Sequence, residues 1–415
     1  MSEPSQPRAP MQSLDEALQR LLSAVAPLAQ SETLPTTDCL GRVLAADVVS
    51  QLDVPPADNT SMDGYALCAS DVAQVGSVLP VAQRVPAGVV GAVHQSGTAA
   101  RIFTGAQIPV GADAVVMQEQ CEPLPGEGLG SVRVNAAVQA GQWIRRRGED
   151  VQQGSAVLAA GARLDAAALG LAATVGAAQL QVARRPRVAL FSTGDELVMP
   201  GEPLKPGAIY NSNRFTLRAM LQGLGCEVVD LGIVPDRLDA TRAALREAAA
   251  RADLIITSGG VSVGEEDHLR PAVLAEGQLD LWQIAIKPGK PLAFGRVNSS
   301  DGGAWFIGLP GNPVSSFVTF ALLVRPVILR LQGATRLAPR GFMLRADFAW
   351  PKPDRRREFL RVRLNEAGGL ELFPNQSSGV LTSTVWADGL LDNPAGQAIE
   401  PGQMVRYLPL SELLQ

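Results

Sequence analysis

Regular alternation of apolar strands and helices between residues 187 and 331 constrains the fold of this chain more than any other feature. Short apolar runs such as residues 188–192 and 253–258 are separated by helix-forming stretches, among them residues 213–224 and 240–250. Such alternation predicts an α/β domain in which a parallel sheet is covered by helices on both faces. Ligands bind at the carboxyl ends of the strands in sheets of this kind, so the loops there are the first candidates for function.

The segments on either side of this region have other patterns. Ser13 and Glu16 form a capping-box signature before apolar residues at helical spacing, and an alanine-rich run at 166–175 predicts a second helix that packs against the first. Short apolar runs between Gly, Pro and Asp clusters predict strands in the segment between these helices and again near the end of the chain. We therefore predict an α/β multidomain fold with a disordered tail at 1–12, a discontinuous helical linker domain at 13–50 and 149–182, an inserted β-rich domain at 51–148, a central parallel-sheet α/β domain at 183–332 and a C-terminal β-barrel-like domain at 333–415.

Charge and histidine content exclude several classes of partner and site. The formal charge of −5 provides no global positive field, so we expect no nucleic-acid partner and no membrane partner. Because the chain has only His94 and His268, a histidine-rich zinc or iron site is excluded, and any metal is expected to be a hard cation on carboxylates, which indicates Mg²⁺.

Cysteine usage indicates the compartment. The four cysteines are widely scattered, without a CxxC pair, and are expected to be buried thiols in a reducing environment: Cys39, Cys68, Cys121 and Cys226. The polar, proline-rich start carries no signal-like apolar run, and apolar stretches elsewhere are interrupted by charge or glycine. We expect a cytoplasmic protein.

Three loops at predicted strand ends carry groups suited to an anionic ligand. The first, at 192–196, places two adjacent carboxylates in the expected crevice, although either Asp195 or Glu196 alone is equally well explained as a helix cap. The second, at 258–267, combines glycines whose N–H groups can converge on an anion with three carboxylates, although alone it is also compatible with an ordinary glycine-rich turn. The third, at 308–316, is a proline-stiffened turn that opens a helix, a favourable place for phosphate.

A pair of lysines completes this constellation. Lys287 and Lys290 are held between prolines, and rigid lysines are better explained as anion contacts than as a solvated turn. Together with acids at Glu196, Asp236 and Asp267, they favour a phosphorylated ligand with Mg²⁺. The glycine loops match neither a P-loop nor a Rossmann fingerprint, and no Ser-His-Asp or Cys-His pair indicates covalent catalysis.

Three further clusters lie outside the α/β domain, at 58–66, 101–106 and 145–150. Each alone is compatible with a turn or a solvated run of charges, and for the three arginines at 145–147 that interpretation is the better one. Taken with the loops above, however, the segments DNTSMDGYA, RIFTGAQIPVGADAVVMQE, RRRGED, FSTGDEL, SGGVSVGEED, IKPGKP and GLPGNPVSS closely resemble, in order and spacing, the MoeA family of molybdopterin molybdenumtransferases. The C-terminal domain of gephyrin is a eukaryotic relative of that family.

The resemblance implies an activity and an assembly. Members insert molybdate into adenylylated molybdopterin with a divalent cation, releasing AMP and forming molybdenum cofactor. They are elongated four-domain homodimers, whose site lies between the α/β domain of one subunit and the inserted domain of the other. A molybdopterin adenylyltransferase and molybdoenzymes are the expected protein partners.

Matching positions assign roles by the same resemblance. The residues expected to reach the site from the partner subunit are Asp63, Thr104 and Asp150. The acids expected around the cation and the adenylate are Glu196, Asp236 and Asp267. The residues expected to contact the pterin phosphate, molybdate or a further oxyanion are Ser262, Lys287, Lys290, Pro291, Pro310, Pro313, Arg361 and Ser378.

Some positions depart from the family pattern, and two other functions stay open. Gln283, Arg237 and His268 stand where relatives commonly carry Lys, Asp and Tyr. The alternatives are molybdopterin adenylyltransferase, which a related α/β domain performs, and a non-catalytic scaffold of the gephyrin type. The long GLPGNP and MDGYA segments favour the insertion step, and the retained acids argue against a scaffold.

Overall fold

The computed structural model describes residues 11–260, 268–300 and 302–414. Its helices are α1 Leu14–Ala24, α2 Ala166–Thr174, α3 Ser212–Gly223, α4 Leu238–Arg251, α5 Leu269–Glu276, α6 Pro313–Leu331, α7 Thr382–Trp386 and α8 Leu410–Leu413. Its strands are β1 Ser31–Pro35, β2 Val48–Val49, β3 Asn59–Thr60, β4 Gly64–Leu67, β5 Ser77–Val85, β6 Ala99–Ile102, β7 Ala114–Met117, β8 Cys121–Leu124, β9 Ser131–Val134, β10 Ile144–Arg145, β11 Ala156–Leu158, β12 Gln179–Ala183, β13 Arg187–Thr193, β14 Leu197–Val198, β15 Ile209–Tyr210, β16 Glu227–Val234, β17 Leu254–Ser258, β18 Gly277–Gln283, β19 Ile286–Lys287, β20 Pro291–Val297, β21 Ala304–Leu309, β22 Phe342–Arg345, β23 Arg357–Leu364, β24 Leu370–Leu372, β25 Gly389–Asn393 and β26 Met404–Pro409.

The α/β region is built on a sheet with the order β16-β13-β17-β21-β20-β18. The four predicted strands pair in parallel, as expected, whereas β20 pairs antiparallel with β21 and β18 pairs antiparallel with β20 at one side. These two strands escaped prediction because β18 carries several polar residues and β20 begins with a proline and contains a glycine. The sheet is therefore mixed rather than wholly parallel.

Both faces of this sheet are buried, which explains the nearly unbroken apolar character of its central strands. Leu190 and Ile256 belong to a core with α3 and α6, whereas Phe191 and Ile255 belong to a core with α4 and α5 on the other face. Alternate residues of each strand thus supply opposite cores.

Helix α1 joins the α/β core, which contradicts the predicted packing against α2. The predicted cap is confirmed, since Ser13 Oγ accepts a hydrogen bond from the Glu16 N–H and the Glu16 carboxylate accepts one from the Ser13 N–H. Leu21 then packs into the cluster that contains α6. Gln12, which we predicted to lie in the disordered tail, is held against the α/β region, because its N–H donates to Gln283 O at 2.8 Å.

Helix α2 instead packs in a small separate core with strands of the linker region. Ala172 clusters with Cys39, Leu44 and Leu180, and the strand pairs β1·β12 and β2·β11 are antiparallel. Because α2 is apolar around its whole circumference, its sequence did not indicate which surface it would meet. The linker region is thus built from strands as much as from helices.

The inserted region forms a β sheet with the order β7-β4-β6-β5-β9-β8. The C-terminal region forms another, with the order β19-β23-β25-β26-β22 and β24 on the free side of β23. Strand β19 comes from the α/β region and pairs in parallel with β23, placing Lys287 opposite Glu358. The C-terminal sheet therefore includes a strand from the preceding region.

Two observations concern burial. Helix α6 is long and apolar enough to cross a membrane, with a mean hydropathy of 1.7, but 94% of that window is buried inside the protein, as expected of a core helix. Of the four cysteines, Cys39 and Cys226 are buried, whereas Cys68 and Cys121 are only partly buried, which corrects the expectation for those two.

Candidate functional site: an anion-binding cleft

A cleft of about 550 Å³ lies where the carboxyl ends of β13, β17 and β21 face the C-terminal sheet. It brings together many of the residues that the sequence singled out, in a single chain. Its lining consists of Glu196, Gly259, Gly260, Lys287, Pro288, Gly289, Lys290, Pro291, Pro310, Gly311, Asn312, Ser315, Arg356, Gln376, Ser377 and Ser378.

Glycines allow these loops to approach one another closely. Gly259 has φ of +91°, and a Cβ there would lie 2.9 Å from Thr193 O. Gly289 has φ of +112°, and a Cβ there would lie 2.4 Å from the Thr319 hydroxyl. Only glycine tolerates both the left-handed backbone and the contact. The cleft floor is therefore backbone rather than side chain, which suits close approach of an anion.

The two lysines of the cleft differ in their surroundings. Lys287 Nζ lies 3.2 Å from the Glu358 carboxylate and 3.5 Å from that of Asp354. Glu358 is fully buried and also accepts a hydrogen bond from Trp350 Nε1 at 2.8 Å. Lys287 thus compensates a buried negative charge, whereas Lys290 has no carboxylate partner among the described residues. Lys290 is the better candidate for a direct anion contact.

Arg356 adds a cation that the sequence analysis missed. Its guanidinium donates to both carboxylate oxygens of Asp354, at 3.0 and 2.9 Å, and hydrogen bonds from Arg356 hold the pKa of Asp354 well below its usual range. The signal was the run of arginines at 355–357 just before an apolar strand. Lys287, Asp354, Arg356 and Glu358 therefore form one charged network along the wall of the cleft.

At the start of α6, where we expected phosphate to bind, the C-terminal region already occupies one backbone amide. The Val314 N–H donates to Ser378 O at 3.0 Å, so one of the free amides of the first turn is already satisfied by the C-terminal region. Asn213 Nδ2 donates to Gly311 O at 2.8 Å and fixes the preceding turn. Pro313 is the first residue of α6 and does not line the cleft.

The acids lie at neighbouring strand ends. Glu196 follows β13 and lines the cleft, and Asp236 follows β16. The carboxylate of Asp195 accepts a hydrogen bond from the Asp236 N–H at 3.3 Å, which joins the two loops. Ser262 and Asp267 lie outside the described residues, so the structure does not place them.

Arg361 does not face the cleft, although we expected an oxyanion contact there. It is 1% exposed and donates to Phe359 O, Ser377 O and the Ser383 hydroxyl. Burial lowers the pKa of Arg361 to about 10. Its position beneath residues 376–378 instead supports the loop that carries Ser378 into the cleft.

Asp63 and Thr104 are paired with each other in the β-rich sheet. The Thr104 N–H and hydroxyl both donate to the Asp63 carboxylate at 2.7 Å, and these bonds lower the pKa of Asp63. Asp150 is exposed at the end of a segment tied down by ion pairs of Arg146 with Asp58 and of Arg147 with Asp53. Within the described chain, neither Asp63, Thr104 nor Asp150 lines the cleft.

Comparisons with known proteins place this arrangement in a family. The chain matches the MoeA N-terminal region (domain I and II) over residues 12–176, a probable molybdopterin binding domain over 189–330 and the MoeA C-terminal region (domain IV) over 343–410. The chain belongs to the MoeA family. The molybdopterin molybdenumtransferase of Haemophilus influenzae is 42% identical over 87% of this chain and 89% of its own length. Molybdopterin molybdenumtransferase 2 of Mycobacterium tuberculosis is 38% identical over 91% of this chain and 94% of its own.

Solved structures of MoeA proteins agree with the fold. Two structures of a molybdopterin biosynthesis MoeA protein from Pyrococcus horikoshii superpose with TM-scores of 0.76 and 0.82, at 31% and 28% identity. Each covers 96% of this chain, and this chain covers 99% and 100% of them, respectively. The multidomain architecture is thus that of the family, including the inserted and C-terminal β sheets.

Proposed function

We propose that this protein is a molybdopterin molybdenumtransferase, which inserts molybdate into adenylylated molybdopterin, releases AMP and forms molybdenum cofactor. The observation that carries the proposal is the cleft in which Lys290, the backbone of two glycine loops and the acid Glu196 meet. Relatives that carry this activity in their names align with most of the chain.

The chemistry explains why both charges are needed in one cleft. Molybdate and the pyrophosphate-linked substrate are both anions, so their approach is repulsive unless cations and N–H donors surround them. Lys290 has no acidic partner among the described residues and therefore keeps its charge available for the substrates. Lys287 and Arg356 are already paired, so they would contribute orientation and hydrogen-bond donors rather than uncompensated charge.

The divalent cation is proposed at the acidic side of the cleft. Glu196 lines the cleft, whereas Asp195 and Asp236 lie at strand ends outside its lining, and hard oxygen donors of this kind suit Mg²⁺. Mg²⁺ held there would neutralise charge that develops on the substrate phosphates. The acidic residues would position it, while Lys290 would orient molybdate from the opposite wall.

The active form proposed is a homodimer. Asp63 and Thr104 are hydrogen-bonded to each other in the β-rich sheet but do not line the cleft of their own chain. A two-fold arrangement would present them to the cleft of the other subunit. Protein partners proposed are a molybdopterin adenylyltransferase and recipient molybdoenzymes, with no nucleic acid and no membrane. The unpaired thiols favour a cytoplasmic location.

The purified protein, incubated with adenylylated molybdopterin, molybdate and Mg²⁺, should release AMP and form molybdenum cofactor. Glu196→Gln should lower the rate by about 10²-fold, the order expected when one charge partner of a transition state is lost. A matched control is Glu202→Gln, an exposed acid on the same stretch that does not line the cleft. Both products are measured chromatographically.

The same assay separates the alternative functions. An adenylyltransferase would instead consume ATP and unmodified molybdopterin, leaving the adenylylated substrate intact. A scaffold would turn over neither substrate. Equal AMP release with and without molybdate would contradict the insertion reaction.

A further inference from the structure

The β-rich sheet carries a group of metal-ligating side chains that the cleft does not use. A thiol, a carboxylate and an imidazole, those of Cys68, Asp71 and His94, have ligand atoms within 4.8 Å of one another. It is the only group of this kind among the described residues. We refer to it as the Cys68 cluster.

Local structure brings the three side chains together from separate segments. Cys68 follows β4, and Asp71 ends the 3₁₀ turn at Ala69–Asp71. His94 lies in the segment between β5 and β6, where its N–H donates to Val110 O at 2.8 Å. The Asp71 carboxylate accepts from the Ser96 hydroxyl at 2.8 Å and the Gly97 N–H at 2.7 Å, so it already joins its turn to the His94 segment.

His94 provides an independent observation. It is only 7% exposed, and neither of its ring nitrogens has a hydrogen-bond partner among the residues that the structure describes. A buried polar group without a partner is destabilising, so such a group in a native fold requires an explanation. Burial also lowers the pKa of His94, despite the opposing charges of Asp71 and Asp113.

We propose that the Cys68 cluster binds one divalent cation of the zinc class. One sulfur, one nitrogen and one oxygen ligand make a mixed set typical of zinc, whose fourth position would hold water. With bond lengths of about 2.0–2.3 Å, the ligand atoms of a tetrahedral site lie roughly 3.3–3.8 Å apart, so the cluster needs to contract by about 1.5 Å at most. A thiolate ligand disfavours Mg²⁺ at this site.

The cation would connect two segments of the β-rich sheet. Cys68 now donates its thiol hydrogen to Gly111 O at 3.0 Å, and metal binding would displace that proton to solvent. The bound ion would satisfy one orphaned nitrogen of His94 and fasten the turn after β4 to the segment before β6. This site is separate from the proposed insertion reaction, which uses carboxylates and lysines of the α/β region.

Co²⁺ is the probe that tests the proposal, because it binds zinc sites and its thiolate complexes absorb in the near ultraviolet. Reduced, metal-stripped full-length protein should bind one equivalent with a thiolate charge-transfer band, and Zn²⁺ should displace it. Cys68→Ser should abolish the band, and His94→Gln should weaken binding at least tenfold. The matched controls are Cys121→Ser, a half-buried thiol in the same region, and His268→Gln, which should both bind like the wild type.

Wild-type binding decides the question even if a variant fails to fold. Absence of a charge-transfer band at a stoichiometric Co²⁺ concentration would overturn the proposal, as would a band that survives Cys68→Ser or disappears in Cys121→Ser. Zn²⁺ should also raise the thermal midpoint of the wild type but not of folded Cys68→Ser, because only the wild type binds it. An equal rise in both proteins would place the ion elsewhere.

Discussion

Two lysines separated by two residues in the cleft have different physical roles. Lys287 offsets the fully buried carboxylate of Glu358, whereas Lys290 has no acidic partner among the described residues. Replacing Lys290 with Gln should reduce molybdate use about tenfold or more, since one charge-assisted contact is lost, and leave the thermal midpoint nearly unchanged.

Lys287→Gln should affect stability more than molybdate use. Among the described residues it leaves Glu358 with Trp350 and Asn393 as its side-chain hydrogen-bond donors, and it should lower the free energy of unfolding by about 1–3 kcal/mol. For both variants, initial rates are measured at a series of molybdate concentrations, and the free energy of unfolding is measured in urea. Coincident rate curves for wild type and Lys290→Gln would show that Lys290 does not contact the substrate.

At the scale of elements, the packing of α1 against the α/β core stabilises the protein. Leu21 is fully buried against the cluster that contains α6. Leu21→Ala should therefore destabilise the protein by about 2–5 kcal/mol, as expected for a large-to-small change in a core. Gln19→Ala on the exposed side of the same helix is the control and should change stability by less than about 0.5 kcal/mol. Chemical denaturation, monitored by tryptophan fluorescence, measures both, and a similar small effect for the two would contradict this assignment.

The sequence predicted elements better than their packing. The capping box at Ser13 and the four parallel strands were predicted correctly, because both signals are local and strong. The partner of α1 was predicted wrongly, since an apolar stripe specifies burial but not the surface that buries it. Arg361 was expected at an oxyanion from its matching position in the family, and that position does not reveal that its side chain is buried beneath a loop.

At the scale of the whole molecule, the proposed homodimer would place each insertion cleft between two chains. Mixing impaired Asp63→Ala protein with impaired Lys290→Ala protein should raise activity above that of either alone, because each mixed two-fold dimer then contains one cleft with both intact halves. Up to about one quarter of wild-type activity is expected from random exchange, since half the dimers are mixed and each has one intact site of two. AMP release is measured after subunit exchange. Two different affinity tags on the two proteins verify that the subunits have exchanged. If exchange occurs but activity is not raised, each chain works alone.

The cleft could be predicted as a collection of loops, but not as a charge network. Strand ends identified Glu196 and the glycine turns, since parallel strands bring such loops to one edge. Asp354, Arg356 and Glu358 were missed because they meet Lys287 only through the pairing of β19 with β23, a contact between residues 71 positions apart in the case of Lys287 and Glu358. Such long-range pairing leaves no local pattern.

The strand β19 also determines how this protein can be divided. A fragment that stops near residue 332 would keep Ile286–Lys287 but lose its sheet partner, and a fragment that starts there would expose an unpaired edge of β23. Recombination between relatives is subject to the same rule, because a crossover at the obvious boundary would join an edge strand from one parent to a sheet from the other. Chimeras should therefore exchange residues 286–291 together with the C-terminal sheet, as one inherited block.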